Sequence, residues 1–235
     1  LIDHFISEDD KMLLYDYLDL ISKLKPDGIY FHDFGVFDAA KTYGLTSKLI
    51  YDGKCVLCNS LDLAFLLGKG IDSAVISREL TLEEIRKIVS NHPGRVDLQI
   101  FGHLRMSYSR RKFLTNYFTQ IGKNYDYLNN ESLYLVEEKR DYKMPILEDG
   151  YGTMIYTDYV FEMFKEISEL KSSVRRGIID TMFIDDVNYI SEVCKGYRQV
   201  NKDNCDYILS SLSNSYPDKY SSGYLYLKTN ITKDE

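Results

Sequence analysis

The 235-residue sequence has no tryptophan, only four prolines and four cysteines, and no excess of cations. Each scarcity excludes something. Lys+Arg number 29 against 36 Asp+Glu, a formal charge of −7, so a strongly basic nucleic-acid binder is excluded. No apolar run approaches the roughly 18 residues that a membrane-spanning helix needs. Ile2–Asp10 carries four acidic residues and no long apolar core, unlike a signal peptide. With so few prolines, regular structure is expected throughout. The cysteines stand at 55, 58, 194 and 205, and only Cys55 and Cys58 form a close pair. That pair supplies half of the roughly four donors in a closed zinc shell. Reduced thiols, buried with Val56 and Leu57, are the expectation, with the cytoplasm as location. What the chain does have is 44% apolar residues, among them 21 Tyr and 11 Phe, enough for a large folded domain.

Apolar spacing predicts an amphipathic helix from Ser7 to Leu24, ended by Pro26 and Gly28. Strand and helix then alternate. The runs 28–33, 48–52, 73–77 and 96–101 read as buried strands, and helices are expected over 36–43, 60–67, 81–90 and 110–118. Thr81 and Glu84 form a capping box. Four such units without hairpin turns argue for an α/β fold with a parallel sheet and helical crossovers. The rhythm breaks over 124–157, which reads as a small antiparallel insertion around Pro145 and Gly150. It resumes with a helix over 159–170, a strand over 177–184 and a helix over 187–197. Residues 1–200 form one body in this reading, 201–235 form a C-terminal helix and tail, and 223–227 one short strand.

Ligand sites in parallel α/β proteins lie at the carboxyl ends of the strands. Here those ends carry His32 and Asp33, Asp52, Ser77-Arg78-Glu79, Gly102-His103 and Asp185-Asp186. Helix capping explains Asp33 and Asp186, but not Arg78, Glu79 or His103. Such a mouth suits a divalent metal, a polar metabolite or a phosphate; mutual pairing of Arg78 with Glu79 is the plainer alternative. No His-x-His or His-Glu-x-x-His spacing supports His32 and His103 as metal ligands. A second cluster, Arg105, Arg110, Arg111 and Lys112 around Tyr108 and Ser109, is followed by Phe113, Tyr117 and Phe118. Cations interleaved with aromatics suit a phosphate, a polycarboxylate or an RNA backbone with bases stacked on tyrosine, or else a solvated helix face.

Ser77–Ile85, followed by the run 96–118 (VDLQIFGHLRMSYSRRKFLTNYF), resembles the collagenase-like peptidase family U32. Glu148-Asp149 with Gly152-Thr153 and Asp158 is similar to that family's later acidic–glycine–threonine segment, and Gly223-Tyr-Leu-Tyr226 to its closing motif. The resemblance implies a TIM-like (β/α) barrel and one of two activities: bacterial proteolysis, or prephenate-dependent hydroxylation of the wobble uridine of tRNA. Fuller members carry cysteines in and after the Ser-Tyr-Ser turn for an iron–sulfur cluster. This chain has Arg105 and Lys112 near those places and no Cys between 58 and 194, so no cluster is expected on those positions. The pattern is that of short, cysteine-poor members, which implies an accessory subunit beside a longer, cysteine-containing paralogue. Prephenate is then the expected co-substrate, and tRNA and a second copy of the chain are candidate partners. Proteolysis is the alternative, although no Gly-x-Ser-x-Gly, paired-His helix or neighbouring Cys and His supports it. A non-catalytic binding subunit is the third reading.

Catalytic roles fall to Arg78, Glu79 and His103 in this reading. Ligand contacts fall to His32, Asn59, Arg105, Tyr108, Ser109, Arg110, Arg111, Lys112, Glu148 and Asp185. Five parallel barrel strands, not eight, are counted. At roughly 30 residues per strand–helix unit, the expectation is an N-terminally incomplete barrel.

Overall fold

A computed structural model describes residues 1–2, 6–139 and 142–227. The chain divides into two compact units. One takes the described residues of Leu1–Gln99, Leu170–Ile178 and Tyr224–Glu235; the other is Ile100–Glu169 with Ile179–Gly223.

The first unit is built by the expected alternation. A short 3-10 turn, Glu8–Asp10, leads into α1 (Lys11–Leu24), which ends where Lys25 turns left-handed. Then follow β1 (Ile29–Phe31), α2 (Phe34–Thr42), β2 (Leu49–Asp52), α3 (Ser60–Gly68), β3 (Ser73–Val75) and α4 (Leu82–Asn91). The next strand, β4 (Val96–Ser109), begins in this unit and continues into the other. β1, β2, β3 and the start of β4 pair in parallel, with Ile29 on Leu49, Ile50 on Ser73 and Val75 on Asp97. Parallel strands need a crossover, and each helix between them supplies one. Their core is Phe31, Leu49, Ala74 and Leu98 on the strands and Ile76 just after β3, with Leu18, Val36, Leu63 and Ile85 from the helices. Helix starts are fixed locally. Asp33 accepts from Gly35 N at 2.7 Å, Asn59 from Leu61 N and Asp62 N at 2.9 Å, and the Thr81–Glu84 box closes both ways.

The second unit is antiparallel where the insertion was expected. β4 pairs with β7 (Thr153–Glu162), β7 with β6 (Lys143–Glu148), and β6 with β5 (Tyr134–Val136). The helices here are α5 (Phe113–Gln120), α6 (Phe164–Leu170), α7 (Val187–Gln199) and α8 (Cys205–Ser215). The short strand β8 (Arg176–Ile179), which belongs to the first unit up to Ile178, pairs with β4, and in the second unit β9 (Tyr220–Ser221) pairs in parallel with β7. The bonds Arg175 N to Val96 O and Asp180 N to Phe101 O advance together along β8 and β4, the parallel sense. Phe101, Phe164, Tyr189 and Tyr197 pack ring against ring in this unit's core.

The whole is a mixed α/β fold, and the structure corrects several expected boundaries. β4 does not stop at Phe101 but runs through Ser-Tyr-Ser to Ser109. The expected start of a helix at Tyr159 is the end of β7, and the strand expected over 177–184 gives way to a turn after Ile179. Residues 223–227 are turn rather than strand, and the last strand is at 220–221. Of the expected tail, 228–235 lie outside the described residues. Cys55, Cys58 and Val56 are exposed, whereas Leu57 between the thiols is buried. No helix among the described residues is long and apolar enough to cross a membrane.

Candidate functional site

In the first unit the polar residues that follow β1, β2 and β3 converge on Asp52, the last residue of β2. Its carboxylate takes Lys54 Nζ at 2.6 Å and Lys54 N at 3.2 Å, and Arg78 Nη2 lies at 3.7 Å. Arg78 therefore pairs with Asp52, not with its sequence neighbour Glu79, which is exposed. Arg78 Nε is buried without a hydrogen-bond partner among the described residues. His32 Nδ1 lies 2.9 Å from Asp52 O. A carbonyl oxygen only accepts, so Nδ1 is the donor in this bond. Asn59 is spent on capping α3. Cover over the Cys58 thiol pushes its pKa up, away from an activated thiolate.

Burial alone would raise the Asp52 pKa, but Lys54 and Arg78 outweigh it and hold the carboxyl below its ordinary value. A depressed carboxylate contributes stability that is present above its unfolded pKa, about 3.9, and is lost as pH falls through the folded value. Asp52→Asn should thus cost about 2 kcal/mol at neutral pH by leaving two cations against a neutral amide. The gap between wild-type and variant melting temperatures should close as pH drops below about 4. A constant gap across that range would show that the ion pairs contribute nothing.

In the second unit the candidate residues lie along the far half of β4 and the turn into α5. Register shifts between His103 and Arg105 and between Arg105 and Ser107 mark bulges, which re-aim side chains off the regular alternation. His103 Nδ1 donates to Thr157 O at 2.8 Å, and Thr157 Oγ1 accepts from Leu104 N at 3.0 Å. The ring meets Phe183 edge-on at 5.7 Å. Arg105 lies over the Tyr108 ring at 5.4 Å, and Tyr108 OH donates to Tyr151 O at 3.3 Å. Ser109 Oγ accepts from Arg111 N at 3.1 Å, which shapes a turn presenting Arg110, Arg111 and Lys112 to solvent.

Glu148 lies fully buried beneath that turn. It accepts from Leu114 N at 2.8 Å, Thr115 N at 3.2 Å, Thr153 Oγ1 at 2.8 Å and the Thr115 hydroxyl. The carboxylate occupies the amino end of α5, the position where a bound anion would otherwise sit. An external anion must here be met by the side chains of the turn. Asp185 is exposed, while its neighbour Asp186 caps α7 through Asn188 N at 2.8 Å. Lys54 is not among the residues expected at the site, and Thr153 is expected only as part of the acidic–glycine–threonine segment. Lys54 stands two residues after a strand-end Asp in left-handed backbone, and Thr153 Oγ1 also lies 2.8 Å from Arg111 O. No group of three or more His, Cys, Asp and Glu side chains among the described residues gathers as a metal site would require.

Residues 1–235 match the profile of Peptidase family U32. A relative from Bacillus subtilis (strain 168), tRNA hydroxylation protein P2, is 30% identical over 193 residues, which is 79% of this chain and 61% of the relative. The chain thus spans about three-fifths of that relative's length. No solved structure matches. A match running from the first residue to the last, through the Arg78, His103 and Glu148 segments alike, places the chain in peptidase family U32.

Proposed function

We propose that the chain works in the cytoplasm in hydroxylation of the tRNA wobble uridine, as an accessory subunit beside a longer, cysteine-containing paralogue. The observation that carries this reading is the 30% identity over 193 residues with tRNA hydroxylation protein P2. The run of parallel strands β1 to β4 with helical crossovers is the element from which (β/α) barrels are built, and it supports a TIM-like barrel as the parent architecture. Arg105 and Lys112 stand near the places where fuller members carry cysteines, and this supports an iron–sulfur cluster on the paralogue instead. Arg105, Arg110 and Arg111 would take a phosphate or a carboxylate of prephenate. His103, held by its Nδ1 bond to Thr157 O, would orient the ligand beside these cations or move a proton.

Mass spectrometry of tRNA from a deletion strain is expected to show wobble uridine without its hydroxyl, restored by the wild-type gene and not by Arg111→Ala. Unchanged hydroxylation in a strain lacking any redundant paralogue would sink the reading. The family's peptidase name favours one second reading. It predicts that the purified full-length protein cleaves gelatin and that His103→Gln abolishes this. If neither reaction occurs but Glu79→Gln or Arg111→Ala weakens complex formation, the chain is a binding subunit.

A further inference from the structure

We infer that α5 and residues 121–127 form a stacking surface for unpaired nucleotides of an RNA loop, continuous with the cations Arg110, Arg111 and Lys112. The inference rests on the tRNA reading above and assigns it a surface. α5 is eight residues long and buries none of them. Its aromatics therefore do not serve a core beneath it. Phe118 gathers instead with Tyr117 and the tyrosines that follow the helix. Phe118 stacks on Tyr125 at 5.2 Å and 19° and on Tyr127 at 5.1 Å and 7°, and Tyr117 meets Phe118 edge-on at 5.2 Å. Each stacked tyrosine keeps one ring face turned away from Phe118. Tyr117 is 56% exposed and Tyr125 47% exposed. Exposed aromatic rings such as Tyr117 and Tyr125, set against a stack, are what a nucleobase covers, since every base offers a flat π-face.

The charge beside the rings selects a polyanion. Arg110, Arg111 and Lys112 are exposed immediately before α5, in a chain of net charge −7. From Lys112 to Phe118 the helix rises about 9 Å, so a strand whose phosphates meet the cations carries its bases to the rings. Glu148 takes the amides of Leu114 and Thr115, leaving the phosphate contacts to long side chains that follow an irregular backbone. Duplex RNA hides its base faces in the stack, so loops and single strands are the class this surface fits.

The test is fluorescence anisotropy of a labelled anticodon stem-loop RNA with the full chain, against a fully paired RNA of equal length, over a salt series. The stem-loop should bind more tightly than the duplex. Tyr117→Ala and Tyr125→Ala should each weaken it about 10-fold, with the salt slope unchanged and Tyr125→Phe retaining affinity. Arg110→Gln and Arg111→Gln should each reduce that slope by about 0.7. Unaltered melting temperatures would show that the ring variants remain folded. If the stem-loop binds and the Tyr117→Ala/Tyr125→Ala double variant keeps wild-type affinity, the stacking surface is refuted while the tRNA reading stands. If the chain binds neither RNA, this inference fails, and the deletion-strain assay decides the reading by itself.

Discussion

Glu148→Ala is expected to destabilise the protein by about 4 kcal/mol, because it removes one acceptor from several buried donors at once. Leu114 N, Thr115 N and the Thr115 hydroxyl all point at this carboxylate. Thr153 Oγ1 accepts from Phe113 N at 3.0 Å and has one proton to share between Glu148 and Arg111 O. Each orphaned buried group costs about 1–3 kcal/mol, and the vacated side chain leaves a cavity. For a chain of this size the melting temperature should fall by about 10 °C. Glu148→Gln keeps the shape but aims an NH2 at donors, so roughly half the loss is expected. Hydrogen exchange locates the effect: the amides of Leu114 and Thr115 should lose protection before those of β1 to β3. Since the same residue holds the turn of Arg110, Arg111 and Lys112, RNA binding should weaken in the alanine variant at temperatures where it is still folded. If it melts within a degree or two of the wild type, Glu148 is not the anchor of that turn.

Local signals were legible in the sequence and long-range pairings were not. The strands at 29–31, 49–52 and 73–75, and the capping box at Thr81, rest on alternation and spacing within a few residues, and they stand where the pattern put them. β4 outran its expected end because bulges near Arg105 break the alternation of period two that marks a strand, so Ser-Tyr-Ser looked like a turn. Tyr159–Glu162 looked helical because an apolar run carries no period of its own. Arg78 and Glu79 are adjacent in sequence, yet Arg78 is drawn to a carboxylate on the neighbouring strand, which no local spacing encodes. Glu148 was read as a ligand contact; nothing in a sequence of that length distinguishes a carboxylate facing solvent from one facing a helix end. The stack of Phe118 with Tyr125 and Tyr127 depends on how residues 121–127 fold back toward α5, again beyond what periodicity reports.

Gly102→Ala should cost at least about 3 kcal/mol, and it should disturb the candidate histidine next to it. Gly102 has φ of +107°, a backbone region that residues with a Cβ rarely adopt. A Cβ built there would lie well inside van der Waals contact with Asp180 O, a backbone atom that cannot swing aside. Asp180 N donates to Phe101 O at 3.0 Å, so relieving the clash breaks a hydrogen bond one residue from the substitution. On the other side, His103 is oriented by its bond to Thr157 O, and Leu104 N by Thr157 Oγ1. Any shift of β4 at position 102 therefore moves the imidazole that the proposed chemistry would use. Gly150→Ala supplies the control, because nothing lies within 4 Å of a Cβ there, and its effect should stay within about 0.5 kcal/mol. Thermal melts of the two variants should differ by about 8 °C. In the deletion-strain assay, a Gly102→Ala protein grown cool enough to fold should restore less hydroxylated uridine than Gly150→Ala. Equal stability in the two variants would mean that β4 can yield at Gly102, and that His103 is not held as rigidly as its hydrogen bond implies.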